Sequence, residues 1–401
     1  MPGHGEVDPR VLQRVEGALL AHAAQPRRPA PARTHPPRRH PHAGTGPRLH
    51  RPCVPARSPP SAAPSVSAGR GRVVPVTRVA AIDCGTNSIR LLIADVGAGA
   101  GGAPRLTDVV RRMEIVRLGQ GVDRTGRLDP VALARTLDAA REYAQVCDQH
   151  GVERIRFVAT SATRDAENRQ DFVDGVRAAL GVEPEVVSGA EEAALSFAGA
   201  ASVLDPSAHP GPYLVVDIGG GSTELVLGQR QPHAAWSMDV GCVRLTERHL
   251  HGDPPTAAEE GAARADVRTM LDAARAQVSL GAARTLVGLA GSVTTVTAHA
   301  LDLPAYDPAA IDGATLSVAD ALASCRALLH ATRAERIAMG FMHPGRVDVI
   351  GAGALVWSEV IARVREEVAA QGGALTTVVT SEHDILDGIA LSIGAAAPTG
   401  D

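Results

Sequence analysis

From residue 78 onward, runs of apolar and polar positions recur in a fixed order. RVAAIDC (Arg78–Cys84) and SIRLLIADV (Ser88–Val96) are apolar runs joined by a short Gly-containing segment, which predicts two strands and a tight turn. VVRRMEIVRLG (Val109–Gly119) predicts a third strand. Asp129 followed by Pro130 is an N-cap with proline in the first turn, so a helix is expected up to about His150, where Gly151 stops it. Next come a strand (Arg154–Thr160), a helix (Ala166–Leu180), a short strand (Pro184–Ser188) and a helix (Glu191–Leu204). The order then restarts with strands at Tyr213–Gly219, Ser222–Gly228 and Ala234–Val240, and a helix opened by a Thr256…Glu259 capping box. A strand (Thr285–Gly291), several Ala-rich helices, a strand (Thr376–Thr380) and a helix from Asp384 complete the pattern.

The two opening turns superpose residue for residue. Asp83, Gly85 and Ser88 have the same mutual offsets as Asp217, Gly219 and Ser222. Two copies of strand–Asp-x-Gly-x-x-Ser–strand, each heading the same order, predict a duplicated α/β fold of two lobes facing a cleft. The lobes are expected at 76–205 and 206–380, with a terminal helix in 381–401 packing back on the first.

Composition sets limits on this picture. The first 75 residues hold 15 of the 28 prolines and 12 Arg against three acids, a net of +9, which leaves the remainder at −13. That head has too little to bury and is expected to be a solvated tail or an over-extended start, with Val76 as the alternative first residue. All 40 basic residues are Arg, which excludes Schiff-base chemistry and a lysine-dependent P-loop. Aromatics are only 2%, too few to stack single-stranded nucleic acid, so no nucleic-acid partner is expected. Five scattered cysteines without a C-x-x-C pair indicate neither a disulfide framework nor a zinc site, and a reducing cytoplasm is expected. No apolar run reaches the roughly 18 residues of a membrane helix, so no membrane partner is expected either.

The chemistry concentrates in the turns. A tight turn rich in Gly, Ser and Asn aims backbone N–H groups at one point, and two such turns facing each other form a phosphate clamp. DIGGGSTE (Asp217–Glu224) adds two carboxylates, which suit a hard cation such as Mg²⁺. The strand ending at Thr160 runs into TSATRDAEN, where Arg164 is placed to contact phosphate. In SGAEEA (Ser188–Ala193), Ser188 and Glu191 fit a capping box, which leaves Glu192 either to complement the helix dipole or to act as a general base. GLAGSVTT (Gly288–Thr295) offers Gly291 and Ser292 to a further phosphate or a nucleotide, and Arg346 is a basic residue close to another Gly-rich turn.

In this order DCGTNSIRLLIAD (Asp83–Asp95), ATSATRDAEN (Ala159–Asn168), SGAEEA, DIGGGSTEL (Asp217–Leu225), GCVRL (Gly241–Leu245) and GLAGSVTT closely resemble the exopolyphosphatase/guanosine pentaphosphate phosphatase (Ppx/GppA) family of the actin–hexokinase–Hsp70 superfamily. The resemblance covers about residues 77 to 395. It implies an actin-like fold and Mg²⁺-dependent hydrolysis (Mn²⁺ being the alternative metal) of the terminal phosphoryl group of inorganic polyphosphate or pppGpp. By position, it implies that Glu192 activates water and that Arg164 neutralises the transferred group. Asp217 and Glu224, with Asp83 at the matched position, would serve the metal; Asn87, Ser88, Gly219, Gly220 and Ser222 would bind phosphate. The chain stops where longer relatives continue into further C-terminal domains, and its body is acidic, so short polyphosphates are the expected substrate and a homodimer the expected assembly. The rival readings are a pppGpp phosphohydrolase, an ATP-using kinase or chaperone-type ATPase, and a non-catalytic alarmone sensor.

Overall fold

The first hairpin is made of residues that a sheet can bury on both faces. β1 (Thr77–Cys84) and β2 (Ser88–Ala98) pair antiparallel from Thr77–Val96 to Cys84–Ile89, and Val79–Ile82 and Leu91–Ile93 are fully buried. This computed structural model describes residues 76–99 and 104–395. The Pro/Arg-rich head with Cys53, and the last six residues, lie outside the described residues.

β3 (Pro104–Ile115) starts five residues before the expected strand and ends four before its expected end. Its first residues carry no apolar alternation because it is an exposed edge strand, held by pairing that reaches Ala98–Pro104. It ends at Ile115 because the N–H groups of Val116 and Arg117 turn to the carbonyl of Asn87. α1 (Pro130–Gln149) is capped by the Asp129 carboxylate, which accepts from Val131 and Ala132. β4 (Arg154–Ala159) runs parallel to β1. A short helix, Ser161–Asp165, that the sequence pattern did not predict comes first, and α2 (Arg169–Leu180) starts three residues later than expected because Ala166 is extended. β5 (Glu185–Val186) leads into α3 (Gly189–Ala201), capped by Ser188.

The second half repeats these steps. β6 (Tyr213–Ile218), β7 (Thr223–Gly228) and β8 (Pro232–Met238) are followed by α4 (Cys242–His249) and α5 (Ala257–Ala274), the latter opened by the Thr256–Glu259 capping box. β9 (Thr285–Leu289) passes directly into α6 (Ala290–Ala300), two residues earlier than the expected strand end. β10 (Thr315–Ser317), α7 (Val318–His330), α8 (Ile350–Ala370), β11 (Thr377–Thr380) and α9 (Ile385–Ala395) complete the described chain. β10 is too short to leave a sequence pattern.

The sheet orders show the duplication. The first is β3-β2-β1-β4-β5 and the second β10-β11-β9-β6-β7-β8. Without β10, the second reads β8-β7-β6-β9-β11, the same order with the same strand directions. Two helices join the halves. α9 leaves the second sheet through β11 but buries Ile385, Leu386, Ile389 and Ile393 against Val79, Leu92 and Val158 of the first. α3 puts Leu195 into that cluster and Phe197 into the core of the second sheet. The two helices touch backbone to backbone: a Cβ on Gly199 would lie 1.9 Å from the Asp384 carbonyl, and one on Gly388 would lie 2.0 Å from that of Leu195. Among the described residues no helix is long and apolar enough to cross a membrane.

Candidate active site

The two turns are built alike. Gly85 N–H donates to the Ser88 carbonyl at 3.0 Å, and Gly219 N–H to that of Ser222 at 3.0 Å. They meet at a cavity of about 120 Å³. No side chain fits between them, since a Cβ on Gly220 would lie 2.9 Å from Thr86 Cβ and one on Gly221 2.5 Å from Ser161 Oγ. Of the residues singled out in the sequence, Asp83, Asn87, Ser88, Glu192, Asp217, Gly219, Gly220, Ser222, Gly291 and Ser292 all line this cavity. Arg164 and Glu224 do not; they stand behind it. Arg164 Nη1 donates to Glu192 Oε2 at 2.9 Å and to the Val187 carbonyl at 3.1 Å. Glu224 lies across the β6–β7 pair from Asp217, is 1% exposed, and accepts from Ser237 Oγ at 2.7 Å.

The charges divide between the halves. In the first turn the Arg90 guanidinium donates to Asp83 Oδ2 at 2.7 and 3.0 Å and also pairs with Asp384. Burial pushes the Asp83 carboxyl up, and Arg90 opposes that rise. Around the second turn, Glu192 is pushed up to about 7 by burial, against the pull of Arg164. Asp217, which accepts from Ser196 Oγ at 2.6 Å, is raised to about 6 by burial and then by the charge of Asp384. Glu224 is raised well above the usual carboxylate range by burial and by Glu192 and Asp217. Three buried carboxyl groups thus stand together, with Arg164 hydrogen-bonded to Glu192 and Arg90 acting on Asp217 from the first turn, a set that a divalent cation would neutralise. Among the described residues no three His, Cys, Asp or Glu converge tightly enough to hold a metal by themselves. Asp217, which lines the cavity, is the carboxylate that could hold a hard cation such as Mg²⁺, which takes one or two carboxylates and completes its shell with water and phosphate oxygens.

A geometry of paired phosphate turns, a buried glutamate and a carboxylate excess belongs to phosphoanhydride chemistry, and the family comparison agrees. The model of the Ppx/GppA phosphatase family matches residues 92–388. The chain belongs to the Ppx/GppA family. Exopolyphosphatase 2 of Mycobacterium tuberculosis is 53% identical over 323 residues, which cover 79% of this chain and 99% of that one. A guanosine-5'-triphosphate,3'-diphosphate pyrophosphatase of Vibrio cholerae is 34% identical over 215 residues, 53% of this chain and 42% of that protein. Among solved structures, an exopolyphosphatase-like protein aligns with a TM-score of 0.76 at 51% identity, covering 80% of this chain and 98% of that one. The Aquifex aeolicus Ppx/GppA family member gives 0.65 at 29% identity, with 80% and 98% coverage. The fold is therefore of the actin-like type, and the chain is a phosphoanhydride hydrolase by family.

Several site residues escaped the sequence reading. Among the described residues Thr86 Oγ1 and Asn87 Oδ1 are buried with no hydrogen-bond partner, and Thr86 lines the cavity beside Asn87. Arg90 lies two positions after Ser88 on the same strand, and the period of two puts both on one face, a signal that was available. Arg346, by contrast, was singled out in the sequence; it lines the cavity and lies over Gly291, where a Cβ would come within 2.3 Å of its Cζ, and its Cζ is 6.0 Å from the Tyr306 ring centre. Beyond it a second cavity of about 470 Å³ is walled by Tyr306, Phe341 and Met342.

Proposed function

We propose that this Ppx/GppA protein is an exopolyphosphatase that removes the terminal phosphoryl group of short inorganic polyphosphates. The observation that carries the reading is Glu192: a carboxylate 8% exposed, held by Arg164, at the rim of two facing phosphate turns. Glu192 accepts the proton of a water attacking the terminal phosphorus. Arg164 fixes the orientation of that carboxylate from behind the cavity. Backbone N–H groups of both turns, with Ser88, Ser222 and Thr86, hold the adjoining phosphate. Since the transition state is largely loose, positioning and charge neutralisation supply most of the rate. We assign Mg²⁺, with Mn²⁺ as substitute, to the carboxylates around Asp217; when bound it supplies positive charge to the phosphate oxygens. Ser196 orients Asp217 for that task, while Glu224, held by Ser237, stands behind it.

A second reading, hydrolysis of pppGpp, is favoured by the cavity beside Arg346, where Tyr306 and Phe341 offer rings to a base and Arg111 and Arg112 offer charge to further phosphates. The buried free thiols of Cys84, Cys147, Cys242 and Cys325 support a reducing cytoplasm. We also propose a homodimer, which light scattering reads directly. The decisive experiment compares Mg²⁺-dependent phosphate release from short polyphosphate, long polyphosphate and pppGpp, for the wild type and Glu192→Ala. Short polyphosphate is expected to lead, with the variant about 10³-fold slower. Retention of most activity by a folded variant would remove Glu192 from its role, and faster turnover of pppGpp would favour the second reading.

A further inference from the structure

α4 rests on the second phosphate turn and also reaches the opposite lobe. The N–H of Cys242 donates to the Gly219 carbonyl at 3.0 Å, and those of Val243 and Arg244 to the Gly220 carbonyl at 2.9 and 3.1 Å. Arg244 therefore stands on the turn by its backbone. Its side chain, only 11% exposed, crosses the cleft. Nη2 pairs with Asp165 and lies 3.3 Å from Ser161 Oγ, while Nη1 lies 3.5 Å from Asp123. Asp165 and Ser161 are the two ends of the short helix that carries Arg164. Arg248, one turn further along α4, holds Asp123 at 2.7 Å, so Asp123 is already largely committed and Asp165 is the principal partner of Arg244.

We propose that Arg244 is a positioning residue that makes turnover depend on closure of the lobes. It rests on the reading of Arg164 and Glu192 given above. With the cleft shut, Arg244 ties the second phosphate turn to the helix bearing Arg164, and Arg164 then holds Glu192. When the lobes part, the Asp165 contact breaks and the Arg164 segment loses its outer brace. The first lobe has a counterpart. Arg117, at φ 50, donates its N–H to the Asn87 carbonyl of the first turn at 2.8 Å, and its guanidinium reaches Asp348 of the second lobe at 2.8 Å. That pair is about a third exposed and Asp348 is shared with Arg333, so it is a brace of lesser consequence.

The test uses the full chain with short polyphosphate and Mg²⁺. Arg244→Gln is expected to lower kcat about tenfold or more, leaving KM within about threefold, since misplacing a catalytic group costs turnover rather than uniform binding. Affinity for a methylene-bridged triphosphate should be unchanged. Asp165→Asn should reproduce the loss, and the double variant should be no worse than either single one. Arg117→Gln should change kcat less than threefold or so. A folded Arg244→Gln enzyme with unchanged kcat, or additive losses in the double variant, would overturn the proposal. If Arg244→Gln unfolds, Asp165→Asn alone decides it: a folded variant with unchanged kcat sinks the brace. Glu192→Ala run in parallel separates the two levels. Full activity there defeats the catalytic assignment itself, whereas a dead Glu192 variant beside normal Arg244 and Asp165 variants defeats only the brace.

Discussion

The β1–β2 and β6–β7 hairpins share their strand directions, their Asp-x-Gly-x-x-Ser turn and the bond that closes it, yet they differ at one paired position. Asp83 faces Arg90 across the first hairpin, and Asp217 faces Glu224 across the second. These pairs occupy the same places in the duplicated unit. In the first, an arginine satisfies two carboxylates, Asp83 and Asp384, so the turn is electrically quiet. In the second, a carboxyl group takes the place of the arginine and joins those of Glu192 and Asp217, leaving a surplus of acidic groups whose pKa values are all raised. The backbone of the turn is the same in both copies, while the charge is divided: in the function proposed above, one turn would position phosphate and the other would attract the cation.

That division predicts unequal responses to equal substitutions. Asp217→Asn is expected to lower kcat by about 10³-fold, the scale of a lost electrostatic element at the reacting group. Asp83→Asn should cost only about tenfold, because Arg90 keeps Asp384. Steady-state phosphate release measures both, and equal losses would break the comparison. Stability should respond with opposite signs. Arg90→Gln strands two buried carboxylates and should cost about 3 kcal/mol. Glu224→Gln, measured in chelator, should stabilise instead. The native state raises the Glu224 pKa, so it holds a proton that the unfolded chain releases, and stability falls as pH rises between the two values. The variant should therefore gain about 1 kcal/mol or more at pH 8 and nothing at pH 4. Denaturant unfolding at the two pH values checks the sign.

The matched turns were legible because Gly, Asp and Ser at fixed offsets are local facts of the chain. The alternation of β1, β2, β6 and β7 was legible for the same reason, as buried strands must be apolar. What escaped was whatever depends on distance. Arg90 meets Asp384 across 294 residues, and only the packing of α9 on the first sheet brings them together. Arg244 could be read as part of a motif, but not as a bridge, because its partner lies 79 residues away in the other half. Glu192 was ambiguous for a different reason. A glutamate in a first helical turn is ordinary, and only its burial beside Arg164 sets it apart from Glu191, which is exposed and pairs with Arg156.

The smallest effect sharpens the comparison most directly, because it asks whether the surplus charge of the second turn is real in solution. Glu192 must be ionised to accept a proton from water, and burial raises its pKa to about 7. At low divalent concentration kcat/KM should therefore rise with pH and reach half its maximum near 7. Removing the opposing charge with Arg164→Gln should move that limb to higher pH. Raising Mg²⁺ should move it lower, by about one pH unit, since added positive charge favours the carboxylate. A limb that ignores both Arg164 and Mg²⁺ would mean that Glu192 feels neither charge. The second turn would then be as neutral as the first, and the contrast between the hairpins would carry no chemistry.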